Sequence, residues 1–248
     1  ADFDFEIPKD LIAQSPAEPR DASRLLVLNR TTGLVTHRIF RDLTEELKQN
    51  DVLVLNNTKV IPARVEGKKS TGARLEVMFL REREEGQWET LIFPGKRVDV
   101  GTEILFDHGS FMCRVTSRSE DGVFTVMSHG SPITISNLEK LGRIPLPPYV
   151  TASRASSPAL ETRYQTVYAK HVGASAAPTA GLHFTPELLS QIRRRGVEIA
   201  EVTLHTGYAT FRPIRVEHAE EHPIHTEWCE VSKDVISKIR HAKEKGGR

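Results

Sequence analysis

The sequence predicts an α/β domain with a mixed sheet that carries an inserted all-β domain. From about residue 63 to 130, short alternating segments are separated by Gly, Asp and Ser, and such evenly spaced turn signals are typical of a small barrel or sandwich. Helix and strand patterns lie on both sides of this block. We therefore expect a discontinuous α/β domain of residues 1–62 and 151–248, with the β domain at residues 63–150.

Before the insertion, the pattern predicts a hairpin, a helix and a buried strand. The hairpin covers residues 24–39 and turns at Thr32-Gly33. Residues 40–49 suit a helix, since Leu43 and Leu47 would share one face. The apolar run at 51–55 is the strand.

Inside the insertion, the alternating segments predict strands at 75–80, 88–93, 111–116 and 123–127. A short helix at 136–141 follows, because Ser136 and Glu139 have the spacing of a capping box.

After residue 150, helices alternate with a strand. Thr185 is a good N-cap, Pro186 suits the first helical position, and Gly196 stands where a glycine ends helix 186–195. A strand at 197–204 and a helix at 233–244, with Ser232 as its cap, complete this part.

Composition limits the function classes. The 248 residues are 38% hydrophobic and 27% charged, with a net charge of +1, as in an ordinary soluble protein. We expect no membrane span, since no run is long and apolar enough, and two cysteines without metal or redox spacing favour the cytoplasm. The basic clusters at 68–69, 193–195 and 238–248 suit either solvated faces or RNA contact.

Two loops present groups that suit a ligand site. The small residues at 176–182 lead through His183 to a helix N-terminus, where backbone N–H groups favour anions. For such a loop taken alone, a tight connection whose small residues permit close packing is the more ordinary explanation. Polar side chains also follow the strand at 51–55, where open α/β sheets form ligand crevices. The alternative there is a polar turn. The candidate binding residues of the two loops are Asn56, Asn57, Thr58, Lys59, Arg64, Thr179 and Gly181.

Further candidates lie near both ends of the α/β part. Arg20 and Arg24 suit a phosphate or carboxylate, or an ion pair with Asp21. His205 ends the strand at 197–204, and Gly207 and Tyr208 follow it.

A histidine cluster completes the set of candidates. His205, His222, His225 and Glu227 would suit a metal, but Pro223 interrupts any helix that would bring His222 and His225 to one face. We expect Glu227 to orient a histidine or bind ribose hydroxyls, with His222 and His225 as binding groups.

The ordered blocks of the chain resemble the S-adenosylmethionine:tRNA ribosyltransferase-isomerases of queuosine synthesis. The blocks that carry the resemblance are residues 5–8, 11–14, 20–25, 56–64, 142–149, 163–168, 176–184 and 202–205, with the group His222, His225 and Glu227. The resemblance covers essentially the whole chain, and it implies an α/β domain with an inserted β-barrel.

The resemblance also implies an activity. The ribosyl part of S-adenosylmethionine would be transferred and isomerised onto 7-aminomethyl-7-deazaguanine in a tRNA with a GUN anticodon, giving epoxyqueuosine, adenine and methionine. S-adenosylmethionine would be a consumed substrate, with no metal or other cofactor. We expect His183 as the main acid/base group, His205 and Glu227 as second candidates, and a cytoplasmic monomer. The alternatives are a metal-dependent hydrolase and a non-catalytic RNA-binding module.

The sequence departs from the family pattern in two places. Ala209 stands where the family has glycine, and alanine is strained there if the position needs positive φ. The family also continues into a further strand and a C-terminal helical region, which we expect beyond Arg248.

Overall fold

A closed barrel of six antiparallel strands occupies the centre of the chain. The computed structural model describes residues 5–147, 158–207, 210, 216–222 and 226–248. The barrel order is β10-β7-β6-β5-β8-β9, and pairing of β9 with β10 closes it. Its strands are β5 (Arg64–Lys69), β6 (Arg74–Glu84), β7 (Gln87–Phe93), β8 (Glu103–Phe106), β9 (Phe111–Arg118) and β10 (Phe124–His129).

Aromatic side chains fill the barrel. Phe79 packs edge-on against Trp88, with ring centroids 5.6 Å apart, and lies 5.8 Å from the ring of Phe106. The indole N–H of Trp88 donates to the Ile133 carbonyl oxygen at 2.8 Å, so this buried polar group is satisfied. The alternation predicted for residues 63–130 thus separates an apolar interior from a polar outer wall.

A mixed sheet forms the core of the α/β part. Strand β12 (Glu198–Leu204) pairs in parallel with β3 (Val52–Asn56) and antiparallel with β13 (Cys229–Glu230). Beside it, β4 (Thr58–Val60) pairs in parallel with β11 (His171–Ala174). The predicted fold class, an α/β unit with a mixed sheet and an inserted β-barrel, is confirmed. The domain limits at residues 62 and 150 stay a prediction.

The remaining elements are a hairpin and five helices of the described residues. The hairpin joins β1 (Arg24–Leu28) to β2 (Val35–Ile39), where it was predicted. The helices are α1 (Leu43–Glu46), α2 (Ile135–Leu141), α3 (Pro158–Arg163), α4 (Pro186–Arg194) and α5 (Lys233–Glu244). Among the described residues, no helix combines the length and hydrophobicity needed to cross a bilayer.

The local signals of α4 and α5 are confirmed. The Thr185 hydroxyl accepts the Leu188 N–H at 3.1 Å, and Ser232 caps α5 in the same way at 3.3 Å. Gly196 follows α4 with a φ of +80°, a left-handed conformation that favours glycine. The apolar stripe of α4 is buried against β3 and β12 and includes Leu188 and Ile192.

Two helix predictions were wrong in detail. The helix expected at 40–49 is a 3-10 turn followed by the short α1, because the backbone is already extended at Leu47 (ψ 141°) as the chain approaches β3. The capping box of α2 is formed by Thr134 and Asn137, whose side chain accepts the Thr134 N–H at 2.9 Å, and not by Ser136 and Glu139. The sequence analysis also did not predict β4, β5, β8, β11 and β13.

Candidate active site

A cleft of about 760 Å³ lies between the barrel and the α/β part. One wall comes from the outer face of β6, β7 and β9, which present charged side chains such as Arg81, Glu89 and Arg118. The opposite wall comes from β11, from the segment after β12 and from residues 226–228. A cleft of this volume between two structural units suits a small-molecule substrate or a single nucleotide.

His205 lies on the α/β wall of this cleft and is held by three neighbours. Its Nδ1 atom is 2.8 Å from the Thr58 hydroxyl oxygen. Its ring stacks on the indole of Trp228, with centroids 4.9 Å apart and planes 19° apart. On β11, a methyl group at Gly173 would lie only 2.6 Å from Nε2. The imidazole therefore has little freedom to move.

The electrostatics of His205 favour the neutral ring. Burial lowers its pKa, and electrostatic repulsion from the neighbouring His171 imidazole lowers that pKa further. A neutral imidazole has one N–H and one free nitrogen, so it can both donate and accept a hydrogen bond.

The amides after β3 hold the end of β12. The Asn56 side chain accepts the Leu204 N–H at 3.0 Å and donates to the Leu204 carbonyl oxygen at 2.9 Å. The Asn57 side chain accepts the Thr203 hydroxyl proton at 2.8 Å. Both side chains fix strand β12, which ends directly before His205, and the Thr58 hydroxyl contacts the His205 ring itself.

The loop that contains His183 lies elsewhere in the fold. Thr179–His183 forms a 3-10 helix in which Gly181 packs closely on Tyr168. The His183 ring stacks on Phe40, with centroids 5.0 Å apart, and His183 is not among the residues that line the cleft.

Arg20 stabilises this loop from the N-terminal segment. Its guanidinium donates to the carbonyl oxygens of Gln165 at 2.7 Å, Thr162 at 3.1 Å, and Arg163 and Leu182 at 3.2 Å. Burial lowers the pKa of Arg20, and the charge of Arg163 lowers it further. The side chain thus ties the N-terminal segment to residues 162–165 and to Leu182.

Three other basic candidates lie outside the lining of the cleft. Arg24 begins β1 and is exposed. Lys59 forms an ion pair with Glu139 at 3.9 Å, and Arg64 begins β5 with its Nε atom 3.1 Å from Glu76. Their predicted roles in substrate binding stay predictions.

Glu227 meets Gly207 at the cleft. One carboxylate oxygen of Glu227 accepts the Gly207 N–H at 2.6 Å, and both residues line the cleft. His222 is half-buried and not among the lining residues, while Tyr208 and His225 lie outside the described residues. Within the described part of the chain, no three His, Cys, Asp or Glu side chains gather as a metal site would require.

Several residues that complete the cleft could not be recognised in the sequence. Trp228 directly follows Glu227, which was a predicted site residue. The one signal for Trp228 in the sequence was that tryptophan is rare in this chain. Gly173 belongs to no recognised motif. The charged wall of the barrel has no local signal either, since only the tertiary structure brings it opposite His205.

The chain is similar over its whole length to tRNA ribosyltransferase-isomerases. Residues 1–248 match the profile of the family described as queuosine biosynthesis protein, and the chain belongs to this family. Relatives from Desulfitobacterium hafniense and Thermotoga maritima are 49% and 48% identical to this chain over all of its length and 72% of theirs. A relative from Clostridioides difficile is 48% identical over 99% of this chain and 71% of its own.

All three relatives are named S-adenosylmethionine:tRNA ribosyltransferase-isomerase. The crystal structure of the S-adenosylmethionine tRNA ribosyltransferase from Thermotoga maritima matches all of this chain and 68% of that chain, at 35% identity and a TM-score of 0.43.

Proposed function

We propose that this protein transfers and isomerises the ribosyl part of S-adenosylmethionine onto 7-aminomethyl-7-deazaguanine in a tRNA with a GUN anticodon. Adenine and methionine leave, and the modified base becomes epoxyqueuosine. S-adenosylmethionine is consumed as a substrate in this scheme, with no further cofactor. A cytoplasmic location and a monomeric state belong to the same proposal.

The observation that carries the proposal is the cleft with His205 on its wall. A family of ribosyltransferase-isomerases needs a site that holds the donor and one nucleotide together, beside groups that move protons. The cleft has the volume of a ligand site, and His205 and Glu227 both line it. An anticodon nucleotide would be splayed out of its loop to enter.

The Thr58 hydroxyl sets the tautomer of His205 in our proposal. Thr58 is fully buried, and its hydroxyl has His205 as its hydrogen-bond partner within the described residues. If the hydroxyl oxygen accepted a hydrogen bond from an Nδ1–H group, the hydroxyl's own proton would be buried without an acceptor, at a cost of roughly 1–3 kcal/mol. The hydroxyl therefore donates to Nδ1, and the ring proton lies on Nε2.

This tautomer makes His205 a donor. The Nε2–H group suits a hydrogen bond that stabilises the negative charge on the adenine as it leaves. The reaction also needs a base for the proton next to the sulfonium. The carboxylate of Glu227, an acid/base candidate from the sequence, lines the cleft and suits this role, because a carboxylate attracts a sulfonium.

Adenine release tests the proposal. The protein is incubated with S-adenosylmethionine and tRNA that carries 7-aminomethyl-7-deazaguanine, and adenine is measured by mass spectrometry. We expect His205→Ala to lower turnover by about 100-fold or more, as loss of a hydrogen-bond donor to developing negative charge does. His183→Ala is the matched control and should keep turnover within a few-fold.

Two outcomes would change the conclusion. Loss of turnover in His183→Ala alone would return the acid/base role to His183. A folded wild-type protein that releases no adenine would contradict the ribosyltransferase function, and metal analysis and tRNA binding without S-adenosylmethionine would then test the hydrolase and RNA-binding alternatives.

A further inference from the structure

Trp228 is an exposed aromatic residue inside the cleft. Its side chain is 51% exposed, whereas Trp88, the other tryptophan of the chain, is 2% exposed and packed in the barrel. One face of the Trp228 indole is covered by the His205 ring. The exposed part of the side chain contributes to the lining of the cleft.

The neighbours of Trp228 fix its position before any ligand arrives. The Trp228 carbonyl oxygen accepts the His205 N–H at 3.0 Å, so the two backbones are tied side by side. The His205 ring is in turn held by Thr58 and by the close approach of Gly173. The indole therefore rests on a ring that cannot easily move, and binding need not order it first.

We propose that Trp228 is a stacking platform for a purine-type base that enters the cleft. The proposal rests on the proposed function, which brings two such rings to the site: the adenine of S-adenosylmethionine and the 7-deazaguanine of the tRNA. Proteins that hold unstacked bases place them on aromatic faces, because every base has a π-face. A third flat ring would extend the nearly parallel stack that His205 and Trp228 already form.

Polar groups beside the platform suit the edge of such a base. Glu227 precedes Trp228 in the chain, and one of its carboxylate oxygens accepts the Gly207 N–H at 2.6 Å. A carboxylate in this position can also accept N–H groups from the edge of a purine. The platform would supply affinity, and the polar edge would supply orientation.

Indole fluorescence gives a direct test. The probes are S-adenosylhomocysteine, which has the adenine without the sulfonium charge, and an anticodon stem-loop RNA that carries 7-aminomethyl-7-deazaguanine. We expect at least one probe to quench the emission of Trp228 in the wild-type protein. Trp88 also lines the cleft, so the same titration of Trp228→Phe, in which Trp88 is the remaining tryptophan, measures how much of the quenching belongs to Trp88.

Substitutions then measure the stacking. Trp228→Ala should weaken the affinity for the stacked probe by roughly 5- to 150-fold, the range found when an aromatic residue under a base is replaced by alanine. Trp228→Phe keeps a ring and should retain affinity within about three-fold of wild type. Phe5→Ala, which removes an exposed aromatic side chain away from the cleft lining, is the matched control and should bind as wild type.

The two probes distinguish the two sources of the base. Weaker binding of S-adenosylhomocysteine alone would assign the platform to adenine, and weaker binding of the modified stem-loop alone would assign it to the tRNA base. The platform would be refuted if Trp228→Ala binds both probes as tightly as wild type. It would also be refuted if trimethylsulfonium quenches Trp228 while neither base does, because the indole would then bind the cation.

Adenine release measured on the same preparations separates this proposal from the proposed function. Normal turnover with unchanged probe binding in Trp228→Ala would remove only the platform. A wild-type protein that neither binds the probes nor releases adenine would remove both. Near-ultraviolet circular dichroism checks that each variant is folded.

Discussion

Replacing Gly173 by alanine should displace the His205 ring. The new methyl group would lie 2.6 Å from Nε2, 2.7 Å from Cε1 and 2.8 Å from Cδ2, all well inside van der Waals contact. The ring must therefore move away from β11, and it then loses its hydrogen bond to Thr58. Gly173 has a φ of +156°, so alanine is also strained there for a reason unrelated to His205.

The magnitude can be divided between these two effects. Backbone strain at such a φ costs about 1–3 kcal/mol. Loss of the hydrogen bond leaves the Thr58 hydroxyl buried without a partner, which costs about 1–3 kcal/mol more. We expect Gly173→Ala to lower the free energy of unfolding by about 2–6 kcal/mol, the sum of these ranges, and to lower adenine release as well.

A double-mutant cycle isolates the part due to His205. The free energy of unfolding is measured by urea denaturation for wild type, Gly173→Ala, His205→Ala and the double variant. In the His205→Ala background the clash is gone, so Gly173→Ala should cost only its backbone strain, and the coupling should reach about 1–3 kcal/mol. Gly101 is the matched control, since it has a φ of +90° with no atom within 4 Å of the added methyl.

The result that would refute this reasoning is a cost of Gly173→Ala that is the same in both backgrounds. A coupling below about 0.5 kcal/mol is within the range of independent sites. The His205 ring would then not lie against β11, and the argument for its fixed orientation would fail with it.

Three further predictions follow from the same contacts. Thr58→Val should shift the pH profile of adenine release and lower its maximum, whereas Thr58→Ser, which keeps the hydroxyl, should restore both; equal effects of the two variants would contradict the tautomer assignment. Because burial and His171 lower the pKa of folded His205, the unfolded chain binds the proton more readily below about pH 6.5. The free energy of unfolding should therefore fall less steeply from pH 7 to 5 in His205→Gln than in wild type, which urea denaturation at each pH would measure. Parallel pH curves for the two proteins would contradict this prediction. Arg20→Lys keeps the charge, but a lysine cannot donate to all four carbonyl oxygens. This variant should lose about 2 kcal/mol of unfolding free energy, nearly as much as Arg20→Ala. A melting temperature equal to that of the wild type would contradict this prediction.

Helices α4 and α5 could be predicted because their signals are local. A capping hydroxyl and an apolar stripe decide each helix within its own sequence, together with Pro186 and Gly196 for α4. Strands β8 and β11 have four residues each, and each pairs with a strand that is distant in sequence, β5 and β4 respectively. For such strands the hydrogen bonds depend on the tertiary structure, which the local pattern does not contain.

The candidate site was predicted in part for a similar reason. The sequence indicated that polar groups gather after β3 and after β12, and His205, Gly207 and Glu227 do line the cleft. It could not show that the amides of Asn56 and Asn57 are already bonded to β12. A sequence gives the number of donors and acceptors, whereas the fold decides which of them remain free for a ligand.

The amides after β3 nevertheless act on the cleft through the strand that they hold. Asn56 bonds to the backbone of Leu204, the residue directly before His205, and Thr58 bonds to the His205 ring. The consecutive residues 56–58 thus fix the end of β12 and the side chain of His205, the residue on which Trp228 stacks. Polar residues of this kind need not touch a substrate to matter for its binding. Their hydrogen bonds determine where the imidazole and the indole stand when the substrate arrives.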